Sequence, residues 1–269
     1  MQKQLSYYLL AIIFILNSCS NEEYNYSVNT ILPKTVKTIY SDHPKDNFST
    51  DFIYDGNKIV SIRNKNEKRD YEYEGNNIVK ETVYSLYKGE ETKYAETNYS
   101  YKNDSLKTVT KFLNGEKIRY DYSYNNNGSI TKEVYNLDNN TSKESKKSEK
   151  KLITIINGNI ANLESDWGDD YDVISISKYE YDTNNNAFKN IAGLNLLLDQ
   201  FSLDSGISLS SNNNIKRYKV NYKQGLLSNI AFEPYWFKME YEYNKNGYPI
   251  KKTTYDYAER ITEIVEYVY

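Results

Sequence analysis

The chain predicts an all-β fold: an antiparallel meander of β-hairpins rolled into a curved sheet or open barrel, with one short helical insertion. Three observations carry that expectation. Tyrosines recur at every second position, turns rich in Gly and Asn recur between them, and aliphatic residues are too sparse to fill a core unaided. Tyrosine occurs 30 times in 269 residues, against 8 Phe and 2 Trp, so its rings must supply the missing apolar area while each hydroxyl stays wet or finds a partner.

The spacing decides for strands. Tyr-x-Tyr appears at Tyr71/Tyr73, Tyr99/Tyr101, Tyr120/Tyr122/Tyr124, Tyr179/Tyr181, Tyr241/Tyr243, Tyr255/Tyr257 and Tyr267/Tyr269, with acids such as Glu72, Asp121, Glu180 and Glu242 between them. A period of two puts the rings on one face of a strand and the acids on the other, whereas helical spacing would scatter both. Tyrosine also favours strands, where aromatic pairs across neighbouring strands add roughly 0.2–1 kcal/mol each.

The strands are punctuated by a second repeat, in which a Gly/Asn turn leads to an aliphatic residue. It reads Tyr54-Asp-Gly-Asn-Lys-Ile59, Tyr73-Glu-Gly-Asn-Asn-Ile78, Tyr101-Lys-Asn-Asp-Ser-Leu106 and Tyr124-Asn-Asn-Asn-Gly-Ser-Ile130. Looser copies follow at Ile155–Ile160, Tyr181–Phe188, Tyr222–Leu226 and Tyr243–Ile250, making eight in all. Tight hairpin turns need positive φ at one or two positions, which Gly, Asn and Asp tolerate. At these residues the chain resembles YD-type repeat proteins, with the Tyr-Asp dipeptide present at Tyr54-Asp55 and Tyr181-Asp182. The resemblance implies meandering or spiralling sheet. Eight irregular units are too few for the closed shells that large members of the class build.

Three segments depart from the pattern. Between Asn190 and Leu203, Ile191, Leu194, Leu197, Leu198 and Phe201 fall at three- and four-residue steps, which predicts a short amphipathic helix capping an edge or end of the sheet. Residues 137–151 carry no apolar side chain after Leu137 and predict a long hairpin tip or loop. Trp167 sits among Asp166, Asp169, Asp170 and Asp172. Those carboxylates are a candidate for calcium, and the indole for a sugar, but the spacing fails the twelve-residue calcium loop, so an exposed acidic loop is the simpler reading.

The first residues read as an address. Lys3 precedes an apolar run from Tyr7 to Leu16, too short to span a bilayer as a helix but suited to a secretory leader. It ends in Leu16-Asn17-Ser18-Cys19, and Cys19 is the sole cysteine. This resembles a bacterial lipoprotein signal, which implies cleavage before Cys19 and attachment of the membrane lipid there. Asn17 departs from the small residue commonest at its position, and an uncleaved apolar anchor is the alternative. The expected organisation is a signal peptide at 1–18, an acidic tether at 19–33 and the repeat β-sheet domain at 34–269. Glu22 and Glu23 resemble the acidic signal that sends some Gram-negative lipoproteins to the outer face. The expected location is therefore the outer membrane, facing the cell surface, with a periplasm-facing orientation as the alternative.

Charge and residue inventory bound the function. Removing the leader takes one lysine and no acid from 34 bases and 37 acids, and a net negative chain offers nothing to a phosphate backbone, so nucleic acid is not an expected partner. No disulfide is available to a single thiol. His43 is the one histidine; it lies in Ser41-Asp42-His43-Pro44, a turn and not a triad, and leaves no zinc set. No catalytic motif or cofactor signature appears, leaving only a pair of carboxylates acting on a glycosidic bond. The expectation is a non-catalytic binding or scaffolding lipoprotein, with a glycan-binding or carbohydrate-active accessory role as the alternative and a glycan or an outer-membrane protein as partner. Ligand contacts are expected at Trp167 or at Tyr235, Trp236 and Phe237, three consecutive aromatics that cannot all face inward. A membrane-spanning barrel fits poorly, since Lys, Glu and Asn occupy alternate positions where lipid would demand an apolar band.

Overall fold

Sixteen strands follow one another with scarcely any other regular structure. The computed structural model describes residues 30–137, 144–166, 173–203, 210–224 and 233–269, and its folded unit begins at Ile31. The strands are β1 (Thr35–Tyr40), β2 (Phe48–Asp55), β3 (Lys58–Arg63), β4 (Glu67–Glu74), β5 (Asn77–Tyr87), β6 (Glu90–Lys102), β7 (Ser105–Leu113) and β8 (Glu116–Tyr124). After them come β9 (Ser129–Leu137), β10 (Glu144–Ile156), β11 (Asn159–Asp166), β12 (Val173–Asn185), β13 (Asn213–Gln224), β14 (Tyr235–Tyr243), β15 (Pro249–Tyr255) and β16 (Ile261–Val268). Each pairs antiparallel with the next, and β16 returns to β1 with Thr35 opposite Val268 and Tyr40 opposite Glu263. The sheet is therefore a closed barrel and not the open one expected. Closure removes the two edges that a sixteen-stranded open sheet would present to other chains, a constraint set by the end strands together and not visible in either one.

Register sorts the side chains into two faces. Phe52 lies opposite Ile62, Tyr71 opposite Glu81, Tyr99 opposite Val109, Tyr122 opposite Lys132, Tyr218 opposite Phe237 and Val265 opposite Thr38. Members of this row from β1 through β11 and from β16 belong to one buried cluster, so it is the inner face. The outer face pairs Glu72 with Lys80, Asp121 with Glu133, Glu242 with Lys251 and Lys37 with Glu266. The expected division of rings from acids holds at Tyr71/Glu72, Tyr122/Asp121 and Tyr241/Glu242, but Glu81 lies inward against Tyr71 and Tyr257 is 66% exposed.

The Tyr-turn repeat has a structural reason beyond its turn residues. Opposite Tyr54, Tyr73, Tyr101, Ile155, Tyr181 and Tyr243 the ladder skips one residue of the partner strand, respectively Val60, Val79, Lys107, Ala161, Lys216 and Ile250. Such bulges bend and twist the strand and leave backbone groups without ladder partners. Tyrosine hydroxyls supply partners: Tyr101 donates to the Ile78 carbonyl at 2.7 Å, Tyr181 to Ile160 at 2.8 Å, Tyr241 to Ile215 at 2.9 Å and Tyr269 to Pro249 at 2.9 Å, while the Ile59 amide donates to Tyr73 at 3.1 Å. In most of these, a ring from one hairpin reaches back to the aliphatic residue that opens the strand of an earlier one. Burial pushes Tyr73 and Tyr181 up to about 12, so these hydroxyls keep their protons.

The segment between β12 and β13 is not an α-helix. Its regular part is a single 3-10 turn, Leu194–Leu197, bounded by Gly193 at φ 70° and Leu198 at φ 54°. A Cβ at Gly193 would stand 2.3 Å from the Asn76 carbonyl oxygen, so the chain passes against the β4–β5 turn at a distance only glycine permits. The apolar spacing reflects burial on every side: Phe188, Ile191, Leu194, Leu197, Leu198 and Phe201 all join the inner cluster. Phe188 packs against Phe52 with ring centres 5.6 Å apart, and Phe201 against Tyr71 at 6.4 Å. The insertion plugs one end of the barrel, the end bearing the Tyr-Gly-Asn turns, and does not cap an edge. The Ala192 amide donates to Asn57 at 2.9 Å and Tyr73 donates to Ala192 at 3.3 Å.

Residues 137–151 also depart from expectation. Glu144 onward is strand in β10, with Lys150 opposite Glu133 and Lys151 opposite Lys132. A backbone ladder needs no apolar side chain on a solvated face, which is why composition alone suggested a loop. The hairpin tip itself lies outside the described residues.

Candidate functional site

Along its axis the inner face changes character. At the turn end it is tyrosine, isoleucine and plug; toward the other end it carries Arg69, Glu81, Lys111, Lys132, Lys151, Lys252 and Glu263. The charges are largely matched. Tyr71 and Tyr99 donate to Glu81 at 3.0 and 3.3 Å, and Arg69 donates to the Ser202 carbonyl at 3.2 Å. The tip of the plug joins this layer through Asp199, which accepts from Lys132 Nζ at 2.7 Å, the Tyr122 hydroxyl at 2.8 Å and the Gln200 amide at 2.9 Å. Burial pushes the Asp199 carboxyl up, but Lys132 and the two neutral donors more than reverse this and hold it at about 2. Burial in turn depresses Lys132, against the pull of Asp199.

Beyond that layer the barrel opens into a cavity of about 520 Å³. One wall is aromatic. Tyr218 on β13 lies opposite Phe237 on β14, their planes within 9° and centres 6.5 Å apart, and Tyr235 meets both edge-on at 6.1 and 5.9 Å. The adjoining wall is polar: Lys252 on β15 and Glu263 on β16 form an ion pair at 2.6 Å with side chains 17% and 13% exposed, beside Thr254 and Thr262. The β1–β2 connection contributes Tyr40, Asp42 and His43 to the rim. Burial, then the Tyr218 hydroxyl, raises the Tyr235 phenol well above its ordinary range, so the tyrosine is neutral at any physiological pH. A smaller cavity of about 230 Å³ lies by Arg69, Glu67 and Phe48.

The structure brings together some of the sequence candidates and separates others. Tyr235 and Phe237 share the cavity wall, as alternation requires. Trp236 points to the outer face, opposite Lys219, with the Arg217 guanidinium 6.0 Å from its ring. Asp166 is the exposed last residue of β11. Trp167, Asp169, Asp170, Asp172 and Cys19 lie outside the described residues. Among the described residues no three His, Cys, Asp or Glu side chains converge as a metal set, and no helix is long and apolar enough to cross a membrane. Sequence reasoning missed Tyr40, His43, Tyr218, Lys252 and Glu263. Inward alternation flags Tyr218, Lys252 and Glu263, whose strands β13 to β16 are consecutive in the meander, but closure alone sets β1 beside β16 and brings Tyr40 and the exposed His43 to the rim.

No family model and no curated protein matches the chain. Similarity appears among solved structures. A porin-like protein from Bacteroides vulgatus shares the fold at a TM-score of 0.51 and 12% identity, over 89% of this chain and 98% of that one. A porin-like protein from Bacteroides uniformis aligns at a TM-score of 0.47 and 12% identity, over 88% and 97%. At such identity the likeness is one of fold: a large, closed antiparallel barrel.

Proposed function

We propose that this chain is a lipid-anchored, non-catalytic binding module of the outer membrane whose barrel stands in water. The observation that carries the reading is the outer face. Lys80 bridges Glu72 at 3.0 Å and Glu96 at 3.8 Å, Lys68 bridges Asp70 at 3.0 Å and Glu91 at 3.2 Å, and Arg119 bridges Asp121 at 3.2 Å. A lipid-facing Lys or Arg costs roughly 2–4 kcal/mol near the bilayer midplane, and this wall carries charges on strand after strand. A porin-like fold is therefore turned to a different use, with rings and plug inside and ion pairs outside. Because the plug fills one end, the barrel is a cup and not a channel, although sixteen strands leave room for an aqueous pore when unfilled. Attachment then falls to Cys19, whose leader supports the reading, and Glu22 and Glu23 support export to the outer face.

Cell fractionation tests this. Wild-type chain should incorporate labelled palmitate and need detergent for release, whereas Cys19→Ala should appear in the soluble fraction without label. A C19A chain shown by its N-terminal sequence to have lost the leader, yet staying in the membrane through an alkaline wash, would mean that the wall itself inserts, and the reading would be wrong.

A further inference from the structure

We infer that the cavity at the open end binds an uncharged saccharide, which rests on the reading of the barrel as a binding module. The lining sets the chemistry by elimination and by fit. Asp42 and Glu263 against Lys252 leave the site without the positive excess that phosphate or carboxylate ligands require. The Lys252–Glu263 pair at 2.6 Å satisfies its own charges and Asp42 sits exposed on the rim, so the buried part of the lining offers no isolated carboxylate to an ammonium ligand. An acyl chain would shut the remaining water from the Lys252–Glu263 ion pair, a cost that nothing in an alkyl chain offsets.

A ligand with one apolar face and a rim of hydroxyls fits both walls at once. The near-parallel rings of Tyr218 and Phe237 line one wall. Their electron-rich faces attract the weakly positive C–H groups on one side of a pyranose ring, as they attract other positive edges. On the adjoining strands, Lys252 donates, Glu263 accepts, and the Thr254 and Thr262 hydroxyls, which donate to Glu263 at 3.4 Å and to the Thr254 carbonyl at 3.3 Å, keep lone pairs to accept, matching hydroxyls that both donate and accept. A volume of about 520 Å³ falls within the roughly 300–1,000 Å³ of small-molecule sites. Trp236, next in sequence to two wall residues but on the opposite face of β14, gives an internal control that a sequence-only argument would place in the site.

The test uses the detergent-solubilised full chain and a panel of neutral hexoses, N-acetylhexosamines and short oligosaccharides, with choline and a medium-chain fatty acid as the competing chemistries. Saturation-transfer NMR should show at least one sugar bound through its ring C–H protons. Tyr235→Ala and the double variant Lys252→Met/Glu263→Gln, which removes both charges of the pair together, should each weaken it about tenfold or more, with unfolding midpoints near wild type, while Trp236→Ala should change affinity by less than about twofold. Binding of choline or the fatty acid in place of sugars, equal loss in W236A, or no sugar bound at millimolar concentration would overturn the inference. Anchoring is read independently in the fractionation experiment, so failure here would leave that reading standing.

Discussion

Replacing Asp199 by alanine should unlock the plug from the wall. The carboxylate is 11% exposed, Lys132 is 5% exposed, and they meet at 2.7 Å. Removing one member of a buried pair leaves the other as an uncompensated charge, which costs roughly 3–5 kcal/mol. The ammonium does retain the Tyr120 ring at 4.1 Å, and that contact moderates the loss. The carboxyl is held at about 2 against an ordinary 3.8. Its folded value is depressed, so its contribution is present above the unfolded value and lost as pH falls from about 4 to about 2. The size is about 2–3 kcal/mol. Lys132 works in the other direction, since its depressed value records a desolvation penalty, so the pair as a whole stabilises less than the aspartate alone indicates. Equilibrium denaturation by urea, followed by tyrosine and tryptophan fluorescence, would measure D199A, K132M and the double variant K132M/D199L. The double variant should recover much of the loss, because apolar residues of similar volume replace a buried pair at little cost, and D199N should flatten the acid limb between pH 4 and 2. A D199A loss under about 1 kcal/mol, or a double variant equal to the sum of the singles, would refute the latch.

Two further outcomes follow from the same geometry. Tyr101→Phe deletes the donor to the Ile78 carbonyl at a bulge and should cost about 1–2 kcal/mol, whereas Tyr87→Phe at an exposed ring should stay within about 0.5 kcal/mol; both are read by urea denaturation. Gly193→Ala combines positive φ with an overlap at 2.3 Å and should cost roughly 2–4 kcal/mol. Gly89→Ala, also at positive φ but with nothing within 4 Å, should cost about 1 kcal/mol, so equal melting shifts for the two would exclude the close approach to Asn76.

Much of the architecture was legible, and the reasons are local. Alternation at Tyr71/Tyr73 and the turn at Gly75-Asn76 specify strand, turn and face within a dozen residues. What was misread depends on distance in sequence. Closure turns on Thr35 meeting Val268, and no local pattern reports it. Ile191 to Phe201 has helical spacing because it is surrounded by apolar wall, and Gly193 and Leu198, with their positive φ, stop a helix that the spacing alone would allow. Glu144–Lys151 looked like loop because a strand held by its backbone ladder to β9 needs no apolar side chain to pair. In the site, Tyr235 and Phe237 were legible as a pair of adjacent aromatics, and alternation predicts that Trp236 must face away from them. Lys252 and Glu263 were not, since in a chain so rich in both charges neither stands out until the fold sets them 2.6 Å apart. The likeness to YD-type repeats rests on the turn residues.

Pairing the first strand with the last has a kinetic corollary. The ladder from Thr35–Val268 to Tyr40–Glu263 joins segments at nearly opposite ends of the chain, so the ring cannot seal until the final hairpin has been delivered. Hairpins form in microseconds, but a seam with such sequence separation carries a large loop-closure entropy and a slow final step. Until then the nascent sheet has two raw margins, each able to recruit a neighbouring copy. A chain that crosses a membrane from its amino end, as a leader peptide would direct, meets that hazard for as long as its last strands are still in transit.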